Sequence, residues 1–165
     1  MARTIGSHER PNKGATDVWL TPPHITEALG PFDLDPCHLP NPPWETASTY
    51  FCEETDGLTS PWNPDAFVWC NPPYSNVWAW LAKLAAHPAG GIALIFARTE
   101  TRGFFSEVWG KADGLLFIEG RLSFCRPDGS SGSSNAGAPS VLVGYGAEAC
   151  ARLANRSIKG RYVSL

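Results

Sequence analysis

Four consecutive residues, Asn71-Pro72-Pro73-Tyr74, follow an apolar run at 67–70 and carry the groups needed to hold an amine nitrogen for methyl transfer. Asn71 offers a side-chain carbonyl oxygen. Pro72 offers a backbone carbonyl whose direction is fixed, because each proline ring locks its own φ and restricts the residue before it. Neither proline has an N–H, so the loop is stiff and rich in acceptors. An amine conjugated to a ring or a carbonyl has a delocalised lone pair and is a poor nucleophile. It reacts when both N–H bonds are held and the lone pair is turned towards the methyl donor, which is work for pre-organised dipoles. Tyr74 adds a flat face on which a planar acceptor can stack.

A proline-rich chain can contain such a turn without using it, and 15 of these 165 residues are proline. A second copy, Asn41-Pro42-Pro43-Trp44, is present. Context separates the two. Phe67-Val68-Trp69-Cys70, before Asn71, is aromatic and β-branched, and Val77-Trp78-Ala79-Trp80-Leu81, after it, has a helical pattern; Cys37-His38-Leu39-Pro40, before Asn41, makes a poor strand. The end of a strand is where an open α/β sheet binds ligands, so Asn71 is the copy expected to act.

The elements that must position this loop alternate along the chain. Strands are expected at 32–35, 67–70, 92–96, 115–119 and 141–145, and helices at 23–29, 76–86, 101–110 and 147–155. Such alternation predicts an α/β domain with a mostly parallel sheet and helices on both faces. Residues 115–119 and 121–124, hinged at Gly120, could instead form an edge hairpin. Residues 127–139 are rich in Gly and Ser and are expected to form a mobile loop, with a flexible segment at 1–16 and a catalytic domain over 17–165.

The chain resembles the phage-type Dam family of DNA adenine-N6 methyltransferases over most of residues 17–146. The resemblance lies in Asp17-Val18-Trp19-Leu20-Thr21-Pro22, Phe32-Asp33-Leu34-Asp35-Pro36-Cys37, Asp56-Gly57-Leu58 with Trp62, Trp69-Cys70-Asn71-Pro72-Pro73-Tyr74, Arg98-Thr99-Glu100-Thr101 and Gly120-Arg121-Leu122-Ser123-Phe124. It implies a Rossmann-like, single-domain fold that binds S-adenosylmethionine and methylates the exocyclic amine of adenine in double-stranded DNA. Asn71, Pro72, Pro73 and Tyr74 would then be catalytic. Trp19, Thr21, Pro22, Asp35, Pro36, Cys37 and Asp56, with Asn71, would bind the cofactor. No Gly-x-Gly turn follows Asp35, and in the family the Asp-Pro-Cys segment stands in its place. Asp35 would sit beside the methionine ammonium or orient the loop that does. The Thr21 hydroxyl, or amides at the following helix start, would receive the methionine carboxylate, and Asp56 would hydrogen-bond the adenine or ribose.

Charge is distributed unevenly. Residues 1–70 have three Lys/Arg against ten Asp/Glu, net −7, and residues 71–165 have ten against six, net +4. Arg98, Arg102, Lys111, Arg121 and Arg126 are therefore expected to meet phosphates of DNA beside the stacking face of Tyr74, and Arg152, Arg156, Lys159 and Arg161 could extend that surface. Five scattered cysteines and four scattered histidines show no metal-ligand spacing, and no metal is expected. The absence of a signal segment or apolar span predicts a soluble protein, and the unpaired cysteine pattern a cytoplasmic one; the resemblance implies a bacterial or phage-infected cell, with monomer and dimer both open. Rival readings are an RNA base or a protein glutamine as acceptor, and a nucleic-acid-binding module without catalysis.

Overall fold

Val68, Trp69 and Cys70 are all fully buried. An extended segment with buried side chains on both faces must lie inside a sheet that is covered on both sides. The computed structural model, which describes residues 19–132, 136–155 and 157–165, has this arrangement. Its elements are α1 (Pro23–Leu29), β1 (Leu34–Asp35), β2 (Thr49–Tyr50), β3 (Val68–Cys70), α2 (Val77–Ala85), β4 (Gly91–Phe96), α3 (Arg102–Phe104), β5 (Gly114–Ile118), β6 (Ser140–Tyr145), α4 (Ala147–Ala154) and β7 (Gly160–Ser164). A 3₁₀ turn, Tyr74–Asn76, leads into α2, and π-helical residues Phe105–Trp109 continue α3. The expected segment 1–16, Asp17, Val18 and Arg156 lie outside the described residues, as do positions 133–135 of the Gly/Ser loop.

All seven strands form one sheet in the order β2-β1-β3-β4-β6-β5-β7. Its expected mostly parallel character is corrected: the sheet is mixed and mostly antiparallel. The parallel pairings of β1 with β2, β1 with β3, and β3 with β4 run for only one to three residues. The antiparallel pairings of β4 with β6, β5 with β6, and β5 with β7 run for four to six. The reason lies in the order of strands rather than in the crossovers. From β1 to β5 the strands point the same way. β6 then returns between β4 and β5, and β7 runs back along the outer side of β5, so every pairing in that half is reversed.

Helices cover both faces. Along β4, Ala93 and Ile95 face one way, against Leu81 and Leu84 of α2 and Phe104 and Val108 of the α3 region. Ile92 and Leu94 face the other, against Ile25 and Leu29 of α1 and Ala149 and Leu153 of α4. In α2 the buried residues Val77, Trp80, Leu81 and Leu84 recur at helical spacing, which builds the apolar stripe that docks on the sheet. α1 begins at Pro23, whose fixed φ suits a first helical turn, and its three buried residues face the sheet.

The expected edge hairpin of 115–119 with 121–124 does not form. β5 lies between β6 and β7, Gly120 turns the chain at φ +81°, and 121–124 contain no strand. The short β2 and the β7 edge were not among the expected strands. Residues 124–132 form a narrow strap. Leu20 and Cys125 exchange 2.9 Å backbone bonds, Cys125 bridges to Ser131, and Asp128 Oδ1 accepts from the amide and hydroxyl of Ser130.

The turn into β4 is the tightest approach in the sheet. Gly90 has φ +67°, and a Cβ there would overlap the Tyr145 carbonyl oxygen. Gly90→Ala is therefore expected to destabilise the fold by about 2 kcal/mol or more, adding left-handed strain to a backbone overlap. Urea denaturation checks this, and a midpoint equal to that of the unmodified chain would show that the turn relaxes freely.

Candidate functional site

Because β1, β3 and β4 run parallel, their carboxyl ends open on one edge of the sheet. The residues that leave those ends are Asp35-Pro36-Cys37, Asn71-Pro72-Pro73-Tyr74 and Phe96-Ala97-Arg98. All of them except Ala97 border a cleft of about 1500 Å³. Of the residues singled out from sequence, Trp19, Thr21, Asp35, Pro36, Cys37, Asp56, Asn71, Pro72, Pro73, Tyr74 and Arg98 line it. Pro22 does not; it is buried behind the wall, where its carbonyl accepts from Ile25 N at the start of α1.

Asn71 is fixed from its nitrogen end. Its Nδ2 donates to the Trp19 carbonyl at 2.8 Å, so Oδ1, the opposite corner of the planar amide, is presented to the cleft. The Trp19 carbonyl is itself held because the next residue, Leu20, is bridged to Cys125 of the strap. Tyr74 follows on the 3₁₀ turn, with 37% of its surface exposed. Its ring stacks on Phe96, centroids 4.2 Å apart and planes within 19°. Burial pushes its phenol well above the usual range, against smaller opposing effects of the Phe96 backbone and the Arg98 charge. Tyr74 is therefore a neutral ring at physiological pH.

The other side of the cleft is built around Asp35, which is 4% exposed. Desolvation raises the pKa of its carboxyl, opposed by the Thr46 hydroxyl, the His38 charge and the Cys37 amide. Oδ1 accepts from Cys37 N at 3.0 Å, and Oδ2 accepts from the Thr46 hydroxyl. Asp35 thereby fixes the turn that follows β1. The Cys37 and Cys70 sulfurs lie 3.8 Å apart, and burial with that contact holds the Cys37 thiol well above its ordinary pKa. All five cysteines are free. Thr21, 3% exposed, lines the cleft with its hydroxyl unpaired. A buried hydroxyl without a partner is costly, and its position leaves it for a ligand to satisfy.

Asp56 has φ +44° and spends its carboxylate on its own turn, accepting from Leu58 N, Thr59 N and the Thr59 hydroxyl. Those bonds, the Thr59 hydroxyl foremost, lower its pKa. The same turn is held from outside by Lys83, whose Nζ donates to the carbonyls of Gly57, Leu58 and Ser60. Asp56 borders the cleft through a structure it also maintains.

Arg102, Arg121 and Arg126 are exposed but lie outside the cleft lining, and Arg121 donates to Ala136 O at 3.4 Å. Arg152 has a structural post: it donates to the carbonyls of Leu29 and Pro31, pairs with Glu148, and lies 4.3 Å from the Phe67 ring centre. Lys159 pairs with Glu119. In the second tetrapeptide copy, Trp44 alone reaches the cleft. Pro43 and Trp44 instead support the tip of the strap, where a Cβ on Gly129 would stand 3.0 Å from Pro43. Sequence reasoning did not single out His38, Thr46, Glu53, Glu54, Phe96 or Phe124, which also line the cleft. Phe96 and Phe124 ended recognisable apolar segments; Glu53 and Glu54 follow the unexpected β2. Among the described residues no group of three or more His, Cys, Asp or Glu is placed to hold a metal, and no helix is long and apolar enough to cross a membrane.

A seven-stranded mixed sheet with helices on both faces is compatible with a methyltransferase fold. A family profile described as DNA N-6-adenine-methyltransferase (Dam) matches residues 8–152. The chain belongs to that family, and at the family level its activity is adenine-N6 methylation of DNA. No curated protein and no solved structure matches it.

The Lys83 ammonium is the removable tie of the Asp56 turn. Lys83→Met keeps an apolar stem beside Trp62 and deletes three charge-assisted hydrogen bonds. The expected result is faster amide exchange across 57–60 and a loss of about 1–3 kcal/mol in stability. Unchanged exchange would show that the turn holds itself.

Proposed function

We propose that this chain is a site-specific methyltransferase that moves a methyl group from S-adenosylmethionine to the N6 amine of adenine in double-stranded DNA. The observation that carries this reading is the Asn71 amide, whose nitrogen is committed to the Trp19 carbonyl so that its oxygen is left as an acceptor at the cleft, where the adjoining Pro72 can add its backbone carbonyl as a second. Two acceptors suit the two hydrogens of an exocyclic amine. A donor at that position would repel them.

The cleft fits the cofactor on its own chemistry. The unpaired Thr21 hydroxyl can donate to a carboxylate, the Asp35 carboxyl lines the cleft as an acceptor for an ammonium, and exposed Glu53 and Glu54 can accept from ribose hydroxyls. S-adenosylmethionine supplies an electrophilic methyl on a sulfonium. The work of the chain is to align the amine with it. The target adenine must leave the duplex to reach the cleft, and Tyr74 receives its face. Asn71 Oδ1 and the Pro72 carbonyl accept the amine hydrogens, free the lone pair, and stabilise the positive charge that develops on nitrogen. No residue of the tetrapeptide is a base of suitable pKa, so the proton leaves to water after transfer. Arg98, at the mouth, meets a phosphate of the strand.

Asn71→Ala is expected to lower methyl transfer to plasmid DNA by about a hundredfold or more, with much less change in cofactor binding. Asn41→Ala, in the other copy, is expected to retain activity within a few-fold. Incorporation of labelled methyl groups into plasmid DNA tests both, with RNA and protein substrates run alongside. Near-normal turnover by the Asn71 variant, or preferential labelling of RNA or protein, would overturn the reading. Affinity for DNA should also fall with salt, and Arg98→Ala should reduce the slope of log affinity against log salt by about one; an unchanged slope would remove Arg98 from the contact.

A further inference from the structure

Phe96 is the last residue of β4, held in register opposite Ser140 of β6. It is half-buried, yet its side chain belongs to neither of the two apolar layers that cover the sheet. Its ring contacts are at the cleft. Tyr74 stacks on one side at 4.2 Å, and the Arg98 guanidinium lies 6.0 Å from the ring centre.

The pairing has a physical consequence for Tyr74. A tyrosine on a short turn, with a third of its surface open, is free to rotate unless something holds its ring. Phe96 is anchored at the end of the sheet's central strand and holds it by one face. The other face is then available in a fixed plane. A base received there lies parallel to two rings, and its amine is carried to a set height relative to Asn71 and Pro72. Because the two acceptors are rigid, error in that plane cannot be corrected from their side.

We propose that Phe96 is a positioning residue for the acceptor base, acting through Tyr74 to set the plane in which an extruded nucleobase is received. This rests on the reading that the cleft takes a base of DNA. It narrows the acceptor to flat, aromatic amines and disfavours a protein side-chain amide, which has no ring to stack.

The test compares Phe96→Leu, which keeps apolar bulk but has no ring, with Phe96→Tyr, which restores the ring. Methyl incorporation into plasmid DNA is measured at varied DNA and at varied S-adenosylmethionine, and cofactor affinity by calorimetry. For Phe96→Leu, KM for DNA is expected to rise roughly 2- to 12-fold, the worth of one aromatic pair, while KM and affinity for S-adenosylmethionine change by less than about twofold. Phe96→Tyr is expected to recover the DNA KM. A structural role would instead disturb both substrates together and would not depend on a ring. A normal DNA KM in Phe96→Leu, or equal impairment of the two variants, would overturn the inference while leaving the methyltransferase reading intact. If the unsubstituted protein binds S-adenosylmethionine and labels no DNA, the reading fails and the inference fails with it.

Discussion

A carboxamide has two ends of nearly the same shape and opposite hydrogen-bonding sense, and an enzyme that uses one end must commit the other. Here the commitment is a single bond from Asn71 Nδ2 to a backbone carbonyl 52 residues away in sequence. It joins the end of β3 to the segment before α1. That segment is in turn bridged at Leu20 to Cys125, and Cys125 to Ser131. Orientation of one side chain thus depends on three parts of the chain meeting at the mouth of the sheet. Side-chain carbonyls are preferred over carboxylates for this task when no charge is wanted at a site that must remain an acceptor.

The same economy applies to charge. The Asp35 carboxyl and the charged Asp56, Lys83 and Arg152 are each tied to backbone groups, and each fixes a turn: the exit of β1, the loop at 56–60, that loop again from the α2 side, and the end of α1. Among the described residues, Arg98 at the cleft and Arg102 and Arg126 on the surface outside its lining are in no ion pair. The uneven charge along the sequence is therefore a mixture of two populations, one consumed internally and one left to act at a distance.

Much of the site was legible because it obeys local rules. Apolar residues before Asn71 and prolines after it announce a buried strand ending in a rigid loop, and that is what forms. α1 and α4 were bounded by Pro, Gly and helical spacing, and appear where expected to within a residue. The illegible parts depend on long-range pairing. β2 is two exposed residues whose only reason to be extended is the neighbouring edge of β1. Nothing near Ser140 says that β6 will enter between β4 and β5, so the presence of these strands could be read while their neighbours and relative direction could not. Arg152 looked like a free cation because its acceptors lie 121 and 123 residues earlier. Asp56 fell between these cases: the Asp-Gly turn was visible, but its demand on the carboxylate was not.

The unequal length of the two kinds of pairing has an effect on motion. On one side of β4 the ladder runs through β6, β5 and β7 in long antiparallel registers; on the other, β3, β1 and β2 are joined by a few residue pairs. Opening free energies in a protein follow such differences in local bonding. The antiparallel half is the part expected to exchange slowest, and the margin formed by β1 and β2 the part expected to open first. Asn71 leaves β3 beside β4, so the acceptor loop stands next to the longer-paired half of the sheet and away from the short-paired margin.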